Sequence, residues 1–158
     1  NLSRYDGILF GYRSPEAQDL SDTILRSRTE GFGPEVKRRI MLGTFVLSEG
    51  YYEAFYNKAQ KLRNLVKQGM NKLLADHDFL VLPATPNTAF SFGDKENLTA
   101  MYNEDIFTIP ASLGGFPAIT VPVGTHSNGL PYSIQIIGRH FEEDRLLAFS
   151  EKLTQAVQ

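Results

Sequence analysis

The sequence predicts an α/β fold in which helices alternate with short, buried strands. Three observations carry this. Apolar residues recur at three- and four-residue spacings, most fully at Tyr52, Phe55, Tyr56, Ala59, Leu62, Val66, Met70, Leu73 and Leu74, the mark of an amphipathic helix. Short apolar runs stand at Phe79-Leu80-Val81-Leu82, Ala118-Ile119-Thr120-Val121 and Ser133-Ile134-Gln135-Ile136-Ile137, as in strands covered on both faces. Turn-forming residues punctuate these runs, as in Pro83-Ala84-Thr85-Pro86.

The elements follow in order. Residues 1–13, with Gly7 and Gly11, read as irregular. Ser14-Pro15-Glu16 combines a capping residue, a proline and an acid, a helix-start signal. A short helix is expected over 21–30, stopping at Gly31. Gly33-Pro34-Glu35 opens a second helix whose stripe is Val36, Ile40, Gly43 and Leu47; Ser48-Glu49-Gly50 interrupts it. The longest helix is expected over 51–75, with Lys58, Lys61, Arg63, Lys67 and Lys72 as a solvated face. A strand over 79–82 and a polar surface loop over 87–97 follow. Asn97 is placed to cap a short helix over 98–106. Ile109 to Gly115 is small and apolar. Asn128-Gly129 lies between the last two strands, favouring an antiparallel hairpin with an enlarged loop. A final helix over 142–156 turns Leu146, Leu147, Phe149 and Leu153 inward.

Composition narrows the function. With 42% hydrophobic and 22% charged residues the chain has material for a core and is no disordered tail. A net charge of −2 gives no field directed at nucleic acid or an anionic membrane. The absence of cysteine excludes disulfides, thiol nucleophiles and thiolate metal sites. No apolar run approaches the roughly 20 residues that span a bilayer. The start, Asn1-Leu2-Ser3-Arg4-Tyr5, is unlike a signal peptide and lacks an initiating Met, which fits a fragment or processed product. His77, His126 and His140 are scattered without metal-ligand spacing. No G-x-S-x-G elbow, phosphate-binding loop or dinucleotide fingerprint occurs. Ser112-Leu113-Gly114-Gly115 looks like half a glycine-rich loop, but its apolar neighbours point to close packing.

The helical wheel singles out two charges. Each residue advances about 100°, which puts Arg39 about 60° from the centre of the Val36–Leu47 stripe, Lys37 about 100° away and Arg38 about 160°. Arg39 is therefore the basic residue expected nearest the core, with space beside it at Gly43. Leu98, Met101, Tyr102 and Asp105 fall at i, i+3, i+4 and i+7, so Asp105 is expected on the apolar side of its helix. Inward charges need partners. One reading pairs them with each other or with backbone. The other has them bracket a ligand of opposite charges, such as a free amino acid: its carboxylate on the arginine fork, its ammonium on the aspartate.

The stretch from Glu30 to Phe45, centred on Glu35-Val36-Lys37-Arg38-Arg39-Ile40 and followed by Gly50-Tyr51-Tyr52, resembles the amidase-signature family, and within it the A subunits of glutamyl-tRNA(Gln) amidotransferases. So do Asn1 to Gly7, Ala59-Gln60-Lys61, Leu82-Pro83-Ala84-Thr85-Pro86, Pro117-Ala118-Ile119-Thr120-Val121-Pro122, Gly129-Leu130-Pro131 and Gln135-Ile136-Ile137-Gly138. The resemblance implies that residues 1–158 are the C-terminal fragment of a single amidase domain, a mixed β-sheet flanked by helices. It implies a Ser–cis-Ser–Lys triad that hydrolyses the side-chain amide of glutamine, with the ammonia passing to the amidotransferase's B subunit. The latter uses ATP and Mg²⁺ to convert Glu-tRNA(Gln) to Gln-tRNA(Gln), in a cytoplasmic or organellar heterotrimer that the C subunit completes. It also implies that Arg39 and Asp105 bind the donor glutamine. The triad's Gly/Ser-rich stretch and lysine have no counterpart here, so no catalytic residue, metal ligand or bound cofactor is expected in these residues. A different amidase-signature hydrolase and a non-catalytic interaction module reusing the fold are the competing readings.

Hydrolysis needs a nucleophile and its base within hydrogen-bond reach. The purified 158-residue chain should therefore release no ammonia from glutamine. Ammonia release that a point substitution within the chain abolishes would refute this.

Overall fold

The computed structural model describes residues 2–92 and 98–157. The chain divides into two compact units, Asn1–Ala59 and Gln60–Gln158.

In the first unit a 3₁₀ turn, Leu2–Arg4, precedes an irregular stretch, as the glycines predict. Helix α1 spans Leu20–Gly31 and starts from Asp19, whose carboxylate accepts from Asp22 N at 2.8 Å. The Ser14-Pro15-Glu16 signal starts no helix. Ser14 is instead buried: its N–H donates to Ser27 Oγ (3.0 Å) and its hydroxyl to Glu30 Oε1 (3.1 Å). Its capping chemistry is spent on tertiary bonds, and Tyr12 Oη adds another to Glu30 Oε2 at 2.9 Å. Gly7 sits at φ 80°, and a Cβ there would collide with the Ser27 side chain. Helix α2 spans Pro34–Val46, with Gly33 as cap and proline in its first turn, as expected. It buries none of its residues. Phe45, Tyr51 and Phe55 cluster past its end, with ring centroids 4.3–6.0 Å apart.

The long helix expected over 51–75 is real but not uniform. Tyr52–Asn57 is a π-helical segment, and α3 runs as an α-helix over Lys58–Asp76.

The second unit is built on a three-stranded sheet: β1 (Leu80–Pro83), β2 (Ala118–Thr125) and β3 (Pro131–Ile137), in the order β1-β3-β2. Both pairings are antiparallel, with Leu80 and Ala118 each opposite Ile137. The hairpin between β2 and β3 is the one Asn128-Gly129 predicts, with a bulge between Pro122 and Gly124. Successive strand residues point to opposite faces, so Ile137 and Ile136 enter different cores. Ile137 packs with Met70, Leu74, Ala111 and Phe116. Ile136 packs with Val121 and Leu146. Only β3 is covered on both faces throughout its apolar stretch; β1 alternates, and Val81 is exposed.

Helix α4 (Leu98–Asn103) ends before the expected 106, and residues 104–108 form turns; Asn97 lies outside the described residues. Ile109–Gly114 forms a short helix, α5, that ends at Gly115 in the left-handed conformation (φ 78°). A Cβ on Gly114 would run into the Phe116 ring, so the Ser112–Gly115 segment serves close packing. Helix α6 spans Glu143–Val157 and buries Leu146 and Ser150, with Leu153 partly covered. Leu147 is exposed, because it lies about 100° round from Leu146. Phe149 stacks on Phe79 at 4.7 Å. Arg139 Nε donates to Leu74 O (2.8 Å) and Nη2 to His77 O (3.2 Å), satisfying carbonyls at the end of α3.

Among the described residues no helix is long and apolar enough to cross a membrane. Large apolar side chains nevertheless stand exposed in both units, among them Leu9, Met41, Phe92 and Phe141. Such surface drives association. The chain by itself should self-associate and bind an apolar dye. Sedimentation of a dilute, dye-silent monomer with a cooperative melt would contradict this.

Candidate functional site

The first turns of α2 gather one acid and two arginines. Glu35 lies in the first turn, where a carboxylate is favoured by the helix dipole. Arg38 and Arg39 lie three and four residues on, within side-chain reach. Arg38 grips the carboxylate with a two-point fork: Nη2 to Oε1 at 2.7 Å and Nε to Oε2 at 2.8 Å. Arg39 Nε donates to Oε1 at 2.8 Å. These bonds, Arg38's first and Arg39's second, lower the Glu35 carboxyl from 4.5 to about 2.

This arrangement corrects the wheel. The Arg39 side chain is 60% exposed and that of Arg38 39%, the reverse of the expected order. Because α2 buries no residue, its apolar stripe defines no core side within this unit. The arginines instead pair with Glu35 in the preceding turn, toward which helical side chains lean. The space expected beside Gly43 is present: a Cβ there would have nothing within 4 Å.

Asp105 lies in the turn between α4 and α5, past the end of α4, so its helical alignment with Leu98 and Met101 lapses. It is exposed. Its backbone is fixed: Asp105 O accepts from Thr108 N (3.1 Å), Thr108 Oγ1 (3.1 Å) and Ile109 N (3.0 Å). Buried Gln135 on β3 ties the same turn to the sheet, donating from Nε2 to Phe107 O at 2.7 Å. Among the described residues no side chain pairs with the Asp105 carboxylate. Arg39 belongs to the first unit and Asp105 to the second.

The other candidates are quiet. His77 Nδ1 lies 2.9 Å from Leu73 O, and His140 Nδ1 3.0 Å from Gly115 O with its ring stacked on Phe116. No group of three or more His, Asp or Glu side chains converges as a metal site among the described residues. On α3 the Arg63 Nε–H donates to Leu113 O at 2.6 Å, a structural bond. A cleft of about 640 Å³ between α1 and α2 is lined mainly by apolar side chains, including Ile24, Leu25, Phe32, Ile40 and Met41. Arg39 is not among its lining residues. Sequence reasoning missed Glu35 as a partner of the arginines, reading it only as a helix-start acid. The i, i+3 and i, i+4 spacings were the available signal.

A lowered carboxylate pKa stabilises the fold above its ordinary value, and that contribution is lost as pH falls toward the folded value. For Glu35 the window runs from about 4.5 down to about 2. A side-chain NMR titration should place its midpoint near 2, and Arg38→Ala should raise it more than Arg39→Ala. A midpoint near 4.5 in the unsubstituted chain would show that the pairs do not persist in solution.

The amidase family model matches residues 1–147. Over 157 residues the chain is 50% identical to the A subunit of the glutamyl-tRNA(Gln) amidotransferase of Halothermothrix orenii, covering 99% of this chain and 33% of that protein. Identity to the corresponding A subunit of Bacillus licheniformis is also 50%, over 99% of this chain and 32% of the relative. The chain thus spans about a third of the length of these relatives. Among solved structures, the glutamyl-tRNA(Gln) amidotransferase A subunit of Thermotoga maritima aligns with TM-score 0.57 and 48% identity over 77% of this chain and 27% of that one. An amidase aligns with TM-score 0.68 and 26% identity, over 88% and 32% respectively. The family match extends from the irregular start, through the Glu35–Arg39 cluster and the Asp105 turn, into α6, and the chain belongs to the amidase family.

Proposed function

We propose that this chain is part of a glutamine-hydrolysing amidotransferase subunit that supplies ammonia for converting Glu-tRNA(Gln) to Gln-tRNA(Gln). The supporting observation is 50% identity over 99% of the chain to a protein bearing that amidotransferase's name. In this reading the chain contributes to recognising glutamine. Arg39 takes the α-carboxylate, for which a guanidinium fork is suited. Asp105 takes the α-ammonium, and its carboxylate stands on a turn braced from the sheet by Gln135. Both groups act far from the amide that reacts, so they position it. The nucleophile and base belong to the serine–lysine triad that the family resemblance implies, not to these 158 residues. The B subunit takes up the ammonia, using ATP and Mg²⁺ and holding most of the tRNA, and the C subunit completes a cytoplasmic or organellar complex.

The test uses the full-length protein in its complex. Arg39→Ala and Asp105→Ala each leave one charge of bound glutamine unmatched. Since both side chains are exposed in this chain, the loss belongs at the low end of the range for such truncations, roughly 30-fold in glutamine-dependent transamidation. Arg39→Lys should be damaging as well, because an ammonium lacks the planar two-donor edge. Transamidation from free ammonia bypasses the pocket and should survive. Unchanged glutamine kinetics in both alanine variants would sink the assignment, and better turnover of simple amides than of glutamine would favour a different amide hydrolase.

A further inference from the structure

Helix α3 segregates charge. From Lys58 to Ala75 it carries five of the chain's 16 lysines and arginines and no Asp or Glu; Asp76 is its first acid. The net charge of −2 conceals this. At 100° per residue, Lys61, Asn64, Lys67, Gln68, Asn71 and Lys72 share an arc of about 140°, and all six are exposed. Val66 and Met70 lie outside that arc and pack in the cluster with Ile137. We propose that this face of α3 binds the sugar–phosphate backbone of RNA, and that the RNA is the tRNA substrate of the amidotransferase. The identity of the RNA rests on the function proposed above.

Three features support it. A solvated helix face ordinarily mixes acids with bases, which stabilise one another at i, i+3 and i, i+4. Here Arg63 and Lys67 stand four apart with like charge. Among the described residues none of Lys61, Arg63, Lys67 and Lys72 has a carboxylate partner. The charge that neutralises this face has to come from outside it. The residues between the cations are amides, and Lys, Arg, Asn and Gln are the side chains that bond phosphate oxygens and sugars. An amide also answers to a ribose 2′-hydroxyl, being donor and acceptor at once. Lastly, the face is not flat. Arg63, Asn64 and Lys67, with Leu113 and Gly114, line a hollow of about 180 Å³, and the Arg63 Nε–H bond to Leu113 O (2.6 Å) fixes the guanidinium there. A hollow of that size admits a phosphate group between two cations.

The experiment uses the full-length protein in its complex and compares Lys61→Gln/Lys67→Gln/Lys72→Gln with Lys61→Arg/Lys67→Arg/Lys72→Arg. Both triple variants keep helix propensity, and only the first removes charge. Arg63 is left in place because its bond to Leu113 serves the fold. The Kd for Glu-tRNA(Gln) is measured across a series of salt concentrations. Each lysine that meets a phosphate contributes roughly 1 to the slope of log affinity against log salt. The glutamine triple should flatten that slope by about 2 to 3 and weaken binding by about 10-fold or more. Non-cognate tRNA should lose as much, because backbone contacts carry no sequence. The arginine triple should keep both slope and affinity, and glutamine hydrolysis without tRNA should not change in either. Unchanged slope and affinity in the glutamine triple would leave α3 a solvated face and overturn the inference while the proposed function stands. Equal weakening in the arginine triple would overturn it by showing that charge is not what matters. A complex that dissociates in the glutamine triple would make the face a seat for an acidic subunit, and lost adhesion to phosphatidylserine vesicles with tRNA binding intact would make it a membrane contact; either result overturns it. If the unsubstituted complex binds no Glu-tRNA(Gln), the proposed function fails and the identity of the RNA with it.

Discussion

A strand buried on both faces has to find partners for its backbone along both edges and apolar cover above and below, and β3 meets all of these requirements in residues 60–158. Its edges pair with β1 and β2. Ile137 faces the cluster with Met70, Leu74, Ala111 and Phe116, and Ile136 the cluster with Val121 and Leu146. The polar residue between Ile134 and Ile136, Gln135, is buried with them and could be costly. Its amide instead donates to Phe107 O, so the one polar side chain buried on the strand fixes the turn that carries Asp105. The packing constraint and the placement of a candidate ligand group are the same bond seen from its two ends.

Residues 1–59 follow a different logic. The buried residues of α1 are Thr23 and Ser27, and α2 has none. What holds the irregular start is a set of polar bonds from Tyr12 and Ser14 to Ser27 and Glu30, together with a glycine at position 7 where any side chain would meet Ser27. Hydrogen bonds of this kind contribute modestly each and tolerate no substitution that leaves a buried partner unmatched. Such a region depends on polar geometry more than on apolar area, which fits its many exposed apolar side chains.

This contrast explains what could be read from the residues alone. Where apolar periodicity governs, expectation and structure agree: the strand at 133–137, the hairpin turn at Asn128-Gly129 and the helix expected over 142–156 stand close to their bounds, and the long helix expected over 51–75 is helical throughout 52–76, its first six residues in the π form. Where polar tertiary bonds govern, they do not. Ser14-Pro15-Glu16 has every local feature of a helix start, yet Ser14 is engaged by Ser27 and Glu30, residues that local pattern cannot rank. The wheel placed Arg39 inward because it treated the stripe of α2 as core, but no residue of that helix is buried. Asp105 was aligned on a helix that stops at Asn103. Both residues were singled out on a geometry that the fold does not keep, and the chemical case for them rests on their charge types and on the family resemblance.

Amidase chemistry and the choice of amide are separable demands, and this division gives the Glu35–Arg39 cluster its interest. A nucleophile and base act on any amide delivered to them, so selectivity among amides has to come from groups that read the part of the substrate remote from the reacting bond. An exposed guanidinium is a poor reader while it samples many rotamers in water. Pairing it with a neighbouring acid one turn back on the same helix costs the sequence a single residue and no core. Arg38 holds the Glu35 carboxylate at both oxygens, and Arg39 Nε donates to one of the same oxygens. The i, i+3 and i, i+4 spacings on α2 thus bring both guanidinium groups to one carboxylate, and that shared acid, not burial, sets where the two arginines stand relative to the helix.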